Sequence, residues 1–290
     1  MPRLARAQAA YTILEHEAMH QETLMYIVHQ LPFDRKQNRA FQHDDHPVAD
    51  GETCSVAGGT ATLGADPEAI PFGWDNEFPR LEVDVAAFEM AVYPVTNGDW
   101  LRYVEQGGPT PEFWRRRAGA WVLQTQFQEI PLPRSWPVYV THRQAQAYAR
   151  AMNVRLPTEA EYHRAAFGTP AGEERAFPWG EQPPAPKHGN FGFERFDPEP
   201  VDAHPQGRSA WGIADLIGNG WEWTATPFEP FPGFEPMASY PQYSADFFDG
   251  KHYVMKGASP VTPRELIRRS FRNWFYDDYP YVYAKFRCVA

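Results

Sequence analysis

Two histidines four residues apart, His16 and His20, form the pair in this chain best spaced to hold a metal ion. They sit in Glu15-His16-Glu17-Ala18-Met19-His20-Gln21-Glu22, a run with helical periodicity. An i, i+4 spacing brings both imidazoles to one side of a helix, where neutral ring nitrogens suit zinc, iron or copper. Ile13, His16, His20, Leu24, Ile27 and Leu31 share that side, so the pattern predicts a buried stripe with imidazoles at positions normally given to Leu or Ile. Burying two polar rings costs free energy unless they are hydrogen-bonded or ligated, and a metal in a helical-bundle core offsets it. Two satisfied core or half-exposed histidines without a metal are the plain alternative. The same letters fit the zinc-hydrolase signature His16-Glu17-x-x-His20, with Glu17 as general base. The longer metzincin pattern fails, because Thr23 and Tyr26 stand where its glycine and third histidine belong.

The chain that must position this pair has 290 residues, a net charge of -10, 43% hydrophobic and 15% aromatic residues, 29 prolines and 21 glycines. That length supplies ample core, and the composition predicts a loop-rich fold held by aromatic packing. An acidic balance excludes a nucleic-acid surface, which needs basic residues. No apolar run reaches membrane-spanning length and no signal-peptide core opens the chain, so a cytoplasmic protein is expected, with no membrane partner. Cys54 and Cys288 do not make a secreted disulfide framework.

In chain order, a helix is predicted from Ala5 to Gln30, stopped by Pro32. A lone helix cannot bury its own apolar face, so it must pack on the downstream domain, another chain or a segment outside this sequence. Phe33 to Asp50 reads as a solvated linker; its His43-Asp44-Asp45-His46 cluster is the alternative metal contact. Val56 to Gly64 reads as a hairpin about Gly58-Gly59, and Leu81 to Val85 as a half-buried strand. Thr96 or Asn97 caps a helix towards Val104, Pro137 to Thr141 reads as a strand, and Thr141 caps a helix over Arg143–Met152. Thr158 with Glu161 is a capping box for a helix to Ala166. Trp114 to Trp136 reads as irregular.

From Val56 to Ala290 the chain resembles the formylglycine-generating-enzyme, or sulfatase-modifying-factor, family. The resemblance is carried by Pro94-Val95-Thr96-Asn97, Arg155-Leu156-Pro157-Thr158-Glu159-Ala160-Glu161, Gly218-Asn219-Gly220-Trp221-Glu222-Trp223-Thr224, Lys256-Gly257-Ala258-Ser259 and Phe286-Arg287. It implies an α+β fold related to the C-type lectin topology, with much irregular structure, over residues 51–290. Residues 1–32 would be one helix of a DinB-like bundle and 33–50 the linker.

Further pieces are similar to the ergothioneine-type sulfoxide synthases and the selenoneine synthases: the His16–Glu22 run, Gly73-Trp74-Asp75-Asn76-Glu77, Pro232-Gly233-Phe234, the Tyr240 and Tyr243 pair, Phe247-Phe248 and Arg272-Asn273-Trp274. This similarity implies a non-haem iron(II), oxygen-dependent enzyme that forms a C–S or C–Se bond on a histidine-derived substrate such as hercynine. Its partners would be that imidazole, a thiol or selenol donor, and dioxygen. The family holds iron with three histidines; His16 and His20 match two, and the first has no counterpart in this sequence. Tyr240 matches the proton donor, and Tyr243 and Asn273 match the residues that position the substrate. Trp274 and the Tyr279, Tyr281 and Tyr283 cluster are candidates for a wall facing a trimethylammonium group. Phe275 stands where family members that use γ-glutamyl-cysteine carry Asp, which favours a smaller or different donor. Asn219 and Glu222 resemble positions near structural calcium sites, with hydrogen-bonded loop anchors as the alternative. Met19 replaces a common Gln, Gly220 a Val, and Pro260 a Trp. The cysteines do not match the reactive copper-binding pair of formylglycine-generating enzymes. The alternative function is a non-catalytic, lectin-like binding module.

Overall fold

The computed structural model describes residues 7–37, 43–48 and 51–290. Helix α1 spans Gln8–Gln30. Strands β1 (Thr53–Val56), β2 (Gly59–Leu63), β3 (Leu81–Val85) and β4 (Phe88–Ala91) follow, then α2 (Asn97–Glu105). Next come β5 (Trp114–Arg117), β6 (Ala120–Gln124), β7 (Glu129–Pro131), α3 (His142–Ala151) and α4 (Glu159–Phe167). The last third holds β8 (Gly220–Pro227), α5 (Gln242–Ala245), β9 (His252–Ala258), β10 (Asn273–Tyr276) and β11 (Ala284–Lys285).

Three of the helices start for one reason. Thr96, Thr141 and Thr158 each accept the N–H of the residue three positions on, while Asp99, Gln144 and Glu161 reach back to the threonine N–H. Each box satisfies two backbone donors that a helix start leaves unpaired.

The strands correct three expectations. β1 and β2 form no hairpin: β1 pairs antiparallel with β4, and β2 with β3. Gly58 lies against the β3–β4 connection, where a Cβ would come within 3.0 Å of the Val85 carbonyl. Trp114 to Pro131 is not irregular but a three-stranded antiparallel sheet, β5-β6-β7. Pro137 to Thr141 forms no ladder, because Val138 bonds to Val95 and Val140 to Ala284, one bond to each neighbour. The largest sheet runs β10-β9-β8-β11, with β11 parallel to β8. Its central strand is buried on both faces over Gly220–Thr224, and Trp221 and Trp223 join Trp74, Trp100 and Trp136 in the aromatic core. Gly220 is required there: φ is +142°, and a Cβ would come within 2.8 Å of the Tyr139 ring.

The predicted linker is not free where it is described. Asp45 accepts from the Ser135 N–H and hydroxyl at 2.9 and 2.7 Å, the Asp44 carbonyl accepts from Trp136 Nε1, and His46 pairs with Asp202 at 2.8 Å. Residues 38–42 and 49–50 of that segment lie outside the described residues.

Helix α1 reverses the expected facing. Ile13, Leu24, Ile27 and Leu31 are 72, 52, 53 and 42% exposed, whereas Glu15, Ala18, Glu22, Tyr26 and His29 are buried against the domain. The apolar stripe therefore points to solvent, and a mainly polar stripe docks. At its C-terminal end Lys36 donates to the carbonyls of His29 and Gln126, both at 2.8 Å. The His29 ring stacks on Phe113 at 4.3 Å, with Nε2 3.0 Å from the Gln124 carbonyl and Nδ1 2.8 Å from the Tyr283 hydroxyl. Burial pushes the His29 pKa down to about 3. The unfolded chain thus takes up a proton below about pH 6.5 that the folded chain resists, so the stability carried by neutral His29 is complete above pH 6.5 and is lost as pH falls towards 3. Chemical denaturation between pH 3 and 7 should show up to about 1.4 kcal/mol lost per pH unit from this group. His29→Gln should flatten that acid limb, and identical slopes would overturn the assignment.

Candidate active site

A cavity of about 440 Å³ opens between α1, the segment around Tyr240–Phe247, and β10. Its walls include His16, His20, Tyr240, Tyr243, Asn273, Trp274 and Phe275. Residues from both ends of the chain meet here: the His16 and His20 rings lie 4.3 Å apart between centroids, and Tyr240 approaches His16 edge-on at 5.7 Å and 85°. Burial first, then the neighbouring His20, lowers the His16 pKa, which favours the neutral, ligating form of the ring. Two adjacent imidazoles open to a cavity fit a metal with nitrogen preference. Among the described residues no group of three His, Cys, Asp or Glu side chains completes a site. His43 is held by Gln128 at 2.8 Å and His46 by Asp202.

The tyrosines differ in setting. Tyr240 is half-buried, whereas Tyr243 is buried, stacked on Trp74 at 3.8 Å and 17°. The Tyr243 hydroxyl donates to the Met19 sulfur at 3.3 Å, a weak acceptor. Asn273 uses Oδ1 to accept from the Trp274 N–H at 2.9 Å, leaving its Nδ2 to donate to an occupant. Trp274 is fixed by stacking on Phe228 at 4.2 Å and by the edge of Tyr243 at 5.3 Å. Phe275 stacks on Tyr279 at 5.0 Å. Of the three C-terminal tyrosines only Tyr279 lines the cavity. Tyr281 packs on its edge, and Tyr283 is drawn away by His29.

Glu22 belongs to the site, and its side-chain role was not read from the sequence. Its Oε1 accepts from Tyr26 at 2.6 Å, Trp221 Nε1 at 2.6 Å, Ser259 at 2.7 Å and Thr262 at 3.0 Å. Burial raises its pKa, and the four donors oppose that rise. Trp74 was also missed as a wall of Tyr243. The readable signal was the i, i+7, i+14 spacing of Glu15, Glu22 and His29, a stripe of one face.

Other expectations do not fit. Glu17 is exposed and absent from the cavity lining, so it cannot act as the general base of a zinc hydrolase beside His16 and His20. Calcium does not fit at Asn219 and Glu222. Both Glu222 oxygens are taken by the Arg287 guanidinium, and Asn219 bonds Asn190, Glu199 and Asp215 beside the Lys285 ammonium. They are loop anchors. Cys54 and Cys288 are free; burial raises both thiols, Cys288 to about 12, so neither is a thiolate. Cys288 sits on the lining of a separate cavity of about 460 Å³ by α2 and α3, away from the histidine pair.

Irregular segments here pack around a small mixed sheet, and the chain belongs to the sulfatase-modifying-factor family: the sulfatase-modifying factor enzyme 1-like domain matches residues 38–290. Among its relatives is a protein named hercynine oxygenase from Mycobacterium tuberculosis, 39% identical, covering 76% of this chain and 55% of that protein. Another of that name, from Mycolicibacterium smegmatis, is 35% identical over 90% of this chain and 67% of its own length. Ergothioneine biosynthesis protein 1 of Schizosaccharomyces pombe is 32% identical over 77% of this chain and 28% of that protein. The chain thus spans between about a quarter and two thirds of these relatives. The structure of PvdO from Pseudomonas aeruginosa shares the fold, with a TM-score of 0.59, 21% identity, and coverage of 82% of this chain and 93% of that one. No helix among the described residues is long and apolar enough to cross a membrane.

Glu22→Gln should cost about 1–3 kcal/mol, because a neutral amide cannot serve four converging donors as a carboxylate does. Urea unfolding measures it; a change below about 0.5 kcal/mol, the scale of an ordinary surface substitution, would show that the four donors do not depend on the charge.

Proposed function

We propose that this site carries out oxygen-dependent formation of a C–S or C–Se bond on a histidine-derived imidazole such as hercynine, with iron(II) bound through His16 and His20. The observation that carries the reading is the edge-on approach of Tyr240 to His16 at 5.7 Å, across one cavity shared with Asn273 and Trp274. The names of the relatives point the same way.

Iron(II) would supply a place for dioxygen and for a chalcogen donor as its anion. The chain's own residues do the rest. Tyr240, whose ring packs against His16, would deliver a proton there. Asn273 Nδ2 can donate to an imidazole nitrogen or a carboxylate. Trp274 and Tyr243 offer aromatic faces, and Glu22 a buried carboxylate, to a trimethylammonium cation. Phe275 offers a donor neither charge nor hydrogen bond, which favours a small thiol or selenol over one carrying a second carboxylate at that point.

The third ligand is assigned to a further helix packed on the exposed stripe of Ile13, Leu24, Ile27 and Leu31, which lies beside the imidazoles on α1. The 290 residues alone should therefore bind iron weakly. Fusing in front of them a helical bundle that carries a histidine should restore close to one iron per chain. One tightly held iron and full turnover without it would remove the need for that helix.

In that restored protein, Tyr240→Phe should retain iron and lose about 10²-fold or more in product formed from hercynine and a thiol under oxygen, the usual range for a general acid. Product at the parental rate would take Tyr240 out of the mechanism. Stoichiometric iron and hercynine binding with no oxygen uptake would favour the binding module.

A further inference from the structure

We propose that the buried turn Trp74-Asp75-Asn76-Glu77 is a bracket that sets the spacing between the metal-binding helix and the tyrosine segment, through two separable arms. The proposal rests on the reading of His16, His20 and Tyr240 as the working groups.

The turn is stiff in itself. Asp75–Glu77 forms one 3₁₀ turn, Trp74 N–H donates to Glu77 Oε1 at 2.9 Å, and Glu77 N–H to the Trp74 carbonyl at 2.9 Å. Asp75, Asn76 and Glu77 are 3, 1 and 0% exposed.

One arm leads to α1. Glu77 takes Arg268 Nε at 2.8 Å and Nη2 at 2.5 Å, and the other edge of the same guanidinium holds both oxygens of Glu15 at 2.8 and 2.9 Å. Glu15 directly precedes His16. The other arm leads to the tyrosines. Asp75 accepts from the Met237 N–H at 3.2 Å through Oδ2 and from the Ser244 hydroxyl through Oδ1, and Asn76 donates to the same hydroxyl at 2.9 Å. Met237 and Ser244 are the two ends of the segment that carries Tyr240 and Tyr243. Trp74 stacks on Tyr243 in its middle. A lesser contact, Arg272 Nη1 to the Asn76 carbonyl at 3.3 Å, ties in the residue before Asn273.

Energetics argue that this arrangement is kept for geometry. Two buried carboxylates within one turn repel each other and pay desolvation, and apolar residues of similar size would stabilise the fold as well or better. Asp75 faces only neutral donors. What the pair provides is direction: each carboxylate is aimed at one side of the site.

The arms predict a split. Asp75→Asn, made in the 290-residue chain, should speed amide hydrogen exchange across 237–244 by about tenfold, the loss of one ordinary hydrogen bond, and Ser244→Ala by at least as much, since it loses two. They should leave cobalt(II) binding at the histidine pair, read by its visible absorbance, unchanged. Glu77→Gln should weaken cobalt(II) binding by about tenfold, as loss of an outer support of a ligand does, and leave exchange across 237–244 unchanged. In the restored protein Asp75→Asn should lower kcat at unchanged iron content. If both readouts move together in every variant, or neither moves, the turn is no bracket. If the arms split as described but hercynine is never turned over, the bracket stands and the proposed reaction falls.

Discussion

A single guanidinium, Arg268, held between the carboxylates of Glu15 and Glu77, joins the helix that carries the imidazoles to the domain that carries everything else. Burial raises the Glu15 carboxyl and Arg268 opposes that rise; the same guanidinium holds Glu77 below its usual value, and the two carboxylates hold the Arg268 pKa well above its usual range. Apolar contact could dock a helix just as firmly, but it is non-directional and tolerates rotation and sliding. Carboxylate–guanidinium bonds are bidentate and planar, so they fix the register of α1 as well as its attachment. Glu22 and His29 repeat the device one and two heptads further on, each with its own donors from the domain. The ligand pair proposed at His16 and His20 would have to keep its position within fractions of an ångström, and this polar stripe supplies such a constraint.

The domain faces a related problem. It buries long irregular segments whose carbonyls have no ladder partners, and such groups must be satisfied. Buried cations meet the need. Arg287 donates to the carbonyls of Ala91, Val92, Ala214 and Asp215 while paired with Glu222. Lys285 serves Asp215 and Gly218, and Lys256 serves Arg269 and Phe271. The last of these holds the chain just before Arg272 and Asn273, so the scaffold's hydrogen bonding reaches the cavity wall.

The sequence was most informative where a local rule decides the outcome. The caps at Thr141 and Thr158 followed from local pattern, the first cap was narrowed to Thr96 or Asn97, and α1 and β3 followed from periodicity. Family motifs brought His16, His20, Tyr240, Tyr243, Asn273, Trp274 and Phe275 to attention, and the fold sets all of them around one cavity. Strand pairing was not legible at Val56–Gly64, because a glycine pair permits a hairpin without requiring one, and distant partners β4 and β3 won. The face of α1 was misread for a physical reason. Periodicity assigns apolar residues to the interior, but Glu15, Glu22 and His29 found buried partners that only the folded domain provides. Trp74 and Glu22 act through neighbours some 170 to 240 residues away, beyond any local pattern.

Those separations also fix when the site can come into being. Glu22 waits for Trp221, Ser259 and Thr262, which lie 199, 237 and 240 residues later. At about 5–20 residues per second of translation, α1 leaves the ribosome roughly 10–50 s before its last partner exists. Throughout that interval the helix carries an unclaimed polar stripe on one side and an apolar one on the other, a surface suited to transient chaperone contact. Assembly of the cavity is therefore a late event in the life of each newly made chain, and metal acquired during synthesis would have to be held without the help of the domain.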